Sequence, residues 1–265
     1  MKKIIHMSDI HIGHEDLDRR FAMIVERLAM EKGDRPEDYV VVITGDLVED
    51  ANQPHQYALA RELLDRLVEK GFTHLLVVPG NHDYGNGSKG DKRFVRKFMR
   101  CFYGKKISYP KLDVIDGVAF IGLDSMAAEL NWYDRLFSEG QIGEEQLGRL
   151  EKMLGSRKVR ACARRVLYLH HHPFAPMPFH ELKDAGRLKE AVAGKVEAIL
   201  YGHNHQGQVH NGCWGIPRCY DAGSATLKER SEFLSILPWF KVRASTRVID
   251  LEQDPACGDY VLDLL

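Results

Sequence analysis

Four apolar runs along this chain stop in turns rich in His, Asp and Asn. The run at Ile4-Ile5 leads to Ser8-Asp9-Ile10-His11, and Tyr39 to Ile43 leads to Thr44-Gly45-Asp46. Leu75 to Val78 leads to Pro79-Gly80-Asn81-His82-Asp83, and Ala198 to Tyr201 leads to Gly202-His203-Asn204-His205. Uninterrupted apolar runs of this length suit strands covered on both faces. Pro and Gly then stop them. Between the first two runs, Leu17, Phe21, Ile24, Val25 and Leu28 recur at helical spacing, which predicts a helix over about 16–30 closed by Gly33. Asn52 and Pro54 open a second helix with Leu59, Leu63, Leu64, Leu67 and Val68 on its inner side, ended by Gly71. Strand, helix, strand, helix, strand is the order of a parallel sheet. Functional residues of such sheets gather beyond the carboxyl ends of the strands, which is where Asp9, His11, Asp46, Asn81 and His82 fall.

The second half repeats the pattern less regularly. A hairpin turned at Asp116-Gly117 is expected, then a helix over 141–154. A strand over 166–169 runs into His170-His171-His172-Pro173. A helix over 182–193, a hairpin near Asn211-Gly212 and a last strand near 260–264 complete the reading. The stretch 84–111 differs. A glycine-rich loop precedes an amphipathic helix in which Phe94, Phe98 and Phe102 repeat at i+4, with Lys92, Arg93, Arg96, Lys97 and Arg100 around them. This is a solvated helix face or, more sharply, a cap that brings positive charge to a phosphate-bearing substrate.

Composition narrows the choice. The chain has 265 residues, 44% of them apolar, enough to bury a proper core. Lys+Arg is 37 against 38 Asp+Glu, so no nucleic acid polymer is expected as partner. Five scattered cysteines without a C-x-x-C pattern favour a reducing cytoplasm. The apolar run after Met1-Lys2-Lys3 is too short for a leader, and no stretch has the length of a membrane span.

The chemistry lies in the turns. His, Asp and Asn are hard or borderline metal ligands. Asp9 and His11 stand at i, i+2, so extended backbone puts both on one side, and His203 and His205 have the same spacing. Taken singly, each motif arises easily by chance. In order, Asp9-Ile10-His11, Gly45-Asp46, Gly80-Asn81-His82-Asp83, His171-His172-Pro173 and Gly202-His203-Asn204-His205 resemble the calcineurin-like metallophosphoesterases. The resemblance runs from residue 3 to about 226. It includes Tyr220-Asp221-Ala222-Gly223-Ser224, which looks like the cyclic-nucleotide phosphodiesterase (class III) branch.

That resemblance implies a four-layer α/β/β/α sandwich of two mixed sheets, one domain over 1–265, with a basic helical insertion at about 84–111 and a β extension at about 227–265. It implies two metal ions: Asp9, His11 and His205 at the first, Asn81, His171 and His203 at the second, Asp46 bridging. Three histidines compete for one ligand position, and the His-x-Pro pattern selects His171 over His170 and His172. His82 would face substrate, contacting a phosphate oxygen or protonating the leaving group, Asn81 would help hold the developing charge, and Asp83 would fix the His82 tautomer, stabilise the turn, or both. Asp124 reads as an Asx turn and His14 as a surface residue or, alternatively, one bordering the pocket, while His6, His55, His74, His180 and His210 read as structural or surface residues.

The implied reaction is phosphoester hydrolysis by a metal-bridging hydroxide, first on a small nucleotide-type or glycerol-type diester. The alternatives are a phosphomonoesterase, a lipid-linked nucleotide pyrophosphatase whose segment 92–106 meets a membrane surface, and a catalytically silent scaffold. Mn, Fe, Zn and Co all suit the ligand set. The apolar stretch 233–240 is a core strand or, alternatively, a patch for a homodimer partner.

Overall fold

A computed structural model of the chain describes residues 2–87, 90–128, 139–174, 182–227 and 245–265. Strands β1 (Lys3–Met7), β2 (Tyr39–Thr44) and β3 (His74–Val78) alternate with helices α1 (Leu17–Lys32) and α2 (Pro54–Glu69). Helix α3 (Lys92–Phe98) follows and runs into a π turn over Met99–Tyr103. Then come the hairpin β4 (Lys111–Ile115) and β5 (Val118–Gly122), helices α4 (Glu144–Gly155) and α5 (Arg157–Arg160), and β6 (Arg164–Tyr168). Helix α6 (Ala185–Val192), β7 (Ala198–Tyr201), β8 (Arg218–Asp221), β9 (Thr246–Ile249), α7 (Pro255–Gly258) and β10 (Tyr260–Leu262) complete the order.

The strands form two five-stranded mixed sheets, β10-β9-β1-β2-β3 and β4-β5-β6-β7-β8. Within the first, β1, β2 and β3 are parallel and β9 is antiparallel to β1. Within the second, β5 through β8 are parallel and β4 is antiparallel. Alternate side chains explain the continuous apolar runs. Ile4, Val40, Val42 and Val78 meet Phe120, Val166, Tyr168 and Leu200 between the sheets. Their neighbours Ile5, Val41 and Ile43 pack outward on Phe21, Ile24, Leu63 and Leu67 of α1 and α2. On the far side Ile121, Leu167 and Ile199 pack on Leu147, Leu150 and Leu188 of α4 and α6. The result is the expected α/β/β/α sandwich.

Phe94, Phe98 and Phe102 are buried in the core of the first sheet, so the i+4 pattern is an anchoring face. The helix is shorter than its periodicity implies, because the π turn takes over from Met99. The apolar stretch 233–240 lies outside the described residues. Among those described, no helix is long and apolar enough to cross a membrane.

Candidate metal centre

The carboxyl ends of the two parallel strand sets open at one place. Beyond β1 and β2 the backbone keeps pairing: Ile10 and His11 amides donate to the Asp46 carbonyl at 2.9 and 3.0 Å, and the Ile12 amide donates to Leu47 at 3.0 Å. This pulls the Asp9-Ile10-His11 turn onto the Gly45-Asp46 turn. Among the described residues, eight non-glycine residues have positive φ, and five of them are Asp9, His11, Asp46, His203 and His205. Left-handed backbone costs an L-residue about 1–2 kcal/mol. Such strain concentrated in the polar turns points to a functional constraint on them. Gly80 is required by contact: a Cβ there would lie 2.1 Å from Asp46 Oδ1.

Two donor groups result. In the first, His205 Nε2 lies 3.1 Å from Asp9 Oδ1 and 3.3 Å from His11 Nε2. In the second, His170 Nε2 lies 3.0 Å from Asn81 Oδ1 and 3.2 Å from His203 Nδ1. Asp46 Oδ2 stands between them, 3.3 Å from His170 Nε2 and 3.9 Å from His11 Nε2. The other Asp46 oxygen accepts from the His82 amide, and Asp9 Oδ2 accepts from the His203 amide, so each carboxylate is held by the opposite loop. Donors about 2.1 Å from a tetrahedral ion are roughly 3.4 Å apart. Both groups have that spacing, and each converges unlike donors that would otherwise crowd one another.

Tautomers agree with this reading. His170 Nδ1 donates to the Thr44 carbonyl at 2.7 Å, and His11 Nδ1 donates to Glu49 Oε2 at 2.8 Å. In each neutral ring the proton is therefore committed to the outer side, and Nε2 keeps a lone pair facing inward.

The structure brings His170, not His171, against Asp46 and Asn81. His171 shares the cluster with His170 and His203, but its Nδ1 is 2.7 Å from Ser125 Oγ. The reason is strand parity. Val166 and Tyr168 face the space between the sheets and Leu167 and Leu169 face the helices, so His170 continues the inner set toward the first sheet. His172 turns away; its Nδ1 accepts from the Phe174 amide.

His82 lies at the rim. Its ring stands edge-on to His11 with centroids 4.7 Å apart, and its Nδ1 donates to the Glu49 carbonyl at 2.6 Å. Asp83 does not reach it. The Asp83 carboxylate is fully buried and accepts from the Leu47, Val48 and Gly80 amides at 3.0, 3.2 and 2.9 Å. It therefore ties the Asp46 loop to the Asn81 loop, which is the turn-stabilising alternative. The carboxylate near His82 is Glu49, with Oε2 3.7 Å from His82 Nδ1. Sequence reading passed over Glu49; its place three residues after Asp46 in the same loop was the available signal. Gly87 was missed as well. Its carbonyl accepts from Asn81 Nδ2 at 3.0 Å, which aims Asn81 Oδ1 at the donors. Its φ is +84°, and a Cβ there would lie 2.4 Å from His82 Nε2.

His14 is half exposed, 3.7 Å from Glu49 Oε1. Asp124 forms the expected Asx turn, accepting from the Met126 amide at 2.9 Å. His6 is buried on Thr44 Oγ1, and burial pushes its ring down to about 3, a structural role. His180 lies outside the described residues.

The buried carboxylates and histidines shift one another. Burial drives the Asp46 carboxyl up, but His170, His82 and His11 outweigh it and hold it well below its ordinary value. Burial lowers His170, and the adjacent Asp46 and Asp9 overcome this and raise it to about 9. Without an ion, protons gather where a metal's charge would otherwise lie.

A family model of the calcineurin-like phosphoesterases matches residues 2–207. The chain belongs to that family, whose members are metal-dependent hydrolases of phosphoesters. Its fold is also that of several solved proteins. A dimetal phosphatase from Danio rerio aligns over 100% of this chain and 99% of its own, with 14% identity and a TM-score of 0.64. A phosphopantetheinyl hydrolase from Mycobacterium tuberculosis aligns over 83% of this chain and 88% of its own (14% identity, TM-score 0.51). An anchor protein of the Plasmodium inner membrane complex aligns over 99% and 88% (12% identity, TM-score 0.59).

Proposed function

We propose that the chain is a two-metal phosphodiesterase acting on a small nucleotide-type or glycerol-type diester in the cytoplasm. The observation that carries the reading is the single Asp46 oxygen set between two donor groups, Asp9, His11 and His205 on one side and Asn81, His170 and His203 on the other. Two cations of the Mn, Fe, Zn or Co type held there would supply Lewis-acid charge to the phosphoryl oxygens and an acidified water as nucleophile. Asp46 and Asp9 provide the negative charge that offsets cation repulsion. His82 donates Nδ1–H to the Glu49 carbonyl, so its Nε2 holds a transferable proton only as the imidazolium. It gives that proton to the departing alkoxide as the P–O bond breaks. The Glu49 carboxylate flanks the ring, with Oε2 3.7 Å from His82 Nδ1.

The diesterase choice rests on chain length and on the resemblance of the block Tyr220-Asp221-Ala222-Gly223-Ser224 to the cyclic-nucleotide branch. Ser224 Oγ donates to the Asp9 carbonyl at 2.7 Å, and Thr226 Oγ1 donates to Ile10 at 2.8 Å, so this block clamps the first metal loop. The absence of disulfides among the described cysteines is in keeping with a reducing compartment.

The test is hydrolysis of bis-p-nitrophenyl phosphate and p-nitrophenyl phosphate by the metal-reconstituted protein, with Asp46→Ala and His82→Ala alongside. Diester turnover lost in Asp46→Ala is the expected result. Monoester turnover alone would assign a phosphomonoesterase. Two bound ions with no turnover of either would favour the scaffold reading.

A further inference from the structure

Between residues 92 and 111 the chain carries eight Lys and Arg and no Asp or Glu, although its formal net charge is −1. The apolar side of this segment is spent on the core, through Phe94, Phe98, Met99 and Phe102. Three of the basic groups are matched locally. Arg93 pairs with Asp91 and donates to Asn52, Lys97 donates to the Ala51 carbonyl and lies over the Tyr57 ring, and Lys111 pairs with Asp113.

Arg96, Arg100, Lys105 and Lys106 are not matched in this way; among the described residues none of them has an ion-pair partner. They converge instead. After the π turn, Gly104 takes a left-handed conformation (φ +67°) and reverses the chain. This brings Lys105 and Lys106 to the same cleft as Arg96 and Arg100, with Met99 and Gly104 completing the walls. The cleft encloses about 170 Å³. It lies on the side of the sandwich where β3 and β4 are the edge strands. There Met99 packs beside Leu76 and Val78, and the Tyr103 hydroxyl donates to the Val77 carbonyl. None of its lining residues hydrogen-bonds to a residue of the metal centre.

Four cations around one small concavity repel one another unless an anion or solvent screens them. Guanidinium forks and ammonium groups together match the oxygens of a phosphate. We propose that this cleft is a second, non-catalytic site that takes a phosphate-bearing anion of the diphosphate or phosphorylated-headgroup type. The volume suits one such group better than a duplex. The aromatic face that would insert into a bilayer is buried, so a lipid would be held by its headgroup alone.

The test is a titration of the isotopically labelled, metal-loaded protein with inorganic pyrophosphate, following the backbone amide signals of Gly104 and Lys105 by NMR at low salt. Saturable shifts are expected at those amides. The exposed double variant Arg96→Gln/Arg100→Gln should bind at least about ten-fold more weakly and keep its turnover of bis-p-nitrophenyl phosphate. Lys105→Gln/Lys106→Gln, which leaves the helix untouched, should show the same pattern. Co-sedimentation with phosphatidylcholine vesicles containing a phosphoinositide, lost in both variants, would identify a lipid headgroup as the source; pyrophosphate binding without it would identify a soluble anion. Unshifted Gly104 and Lys105 signals with no vesicle binding would overturn the proposal. So would binding confined to duplex nucleic acid, or loss of turnover in parallel with loss of binding.

Discussion

The ring of His170 donates from Nδ1 to the carbonyl oxygen of Thr44 at 2.7 Å. Thr44 is the last residue of β2 in the first sheet, and His170 follows β6 in the second. One hydrogen bond thus joins the two sheets at their carboxyl ends and turns Nε2 of the same ring toward Asp46 and Asn81. Asp46 and Asp9 hold the His170 pKa at about 9, above its ordinary 6.5, although burial pulls it down. In the metal-free protein the proton on His170 therefore stabilises the fold fully below about 6.5, and this contribution is lost as pH rises through about 9. An ion taken by His170 Nε2 would displace the proton. Calorimetric metal titrations near neutral pH, in buffers of different ionisation enthalpy, should report proton release, smaller in His170→Gln. Equal heats in all buffers would contradict this.

Glu49 holds two groups at once, His11 through its carboxylate and His82 through its carbonyl. Glu49→Gln keeps the backbone contact and weakens only the side-chain one. It should lower first-ion affinity and turnover by about ten-fold, and Glu49→Ala by up to about 100-fold, the range typical of groups that orient metal-bound histidines. Metal content after dialysis, read beside kcat, checks this. Unchanged metal retention in both variants would show that His11 is held without Glu49.

Asp83 accepts three backbone N–H groups in a fully buried place. Burial, with Asp46 nearby, pushes its carboxyl up to about 7 in spite of those bonds. Asp83→Ala leaves three buried donors without an acceptor and should cost about 3 kcal/mol or more in urea unfolding. If Asp83 worked through His82 instead, the variant would lose turnover at unchanged stability.

Gly87 abuts the His82 ring, so Gly87→Ala should displace that ring and reduce turnover by about ten-fold or more. The effect should be much smaller in a His82→Ala background, because the clashing partner is gone. A double-mutant cycle measures this directly. Equal losses in both backgrounds would mean that Gly87 acts through the loop or through Asn81 alone.

Much of the centre was legible because buried parallel strands read as apolar runs, and their ends then show as abrupt polar turns. Asp9, His11, Asp46, Asn81, His203 and His205 each stand in such a turn, and all six converge. What was hidden depends on direction. A strand buried on both faces gives no sign of which parity faces the other sheet, so that His170 rather than His171 meets Asp46 and Asn81 follows only from the packing of Val166 and Tyr168. Sequence adjacency likewise favoured Asp83 as the partner of His82. The 3-10 turn over His82–Tyr84 sends Asp83 inward and His82 to the rim, and leaves that place to Glu49 from another loop.

The most direct test is an anomalous-scattering map from crystals grown with manganese. It should show two peaks flanking Asp46 Oδ2, one among Asp9, His11 and His205 and the other among Asn81, His170 and His203. A single peak, or a second ion bound by His171 with His170 turned away, would contradict the shared-carboxylate centre from which the hydrolytic reading is drawn.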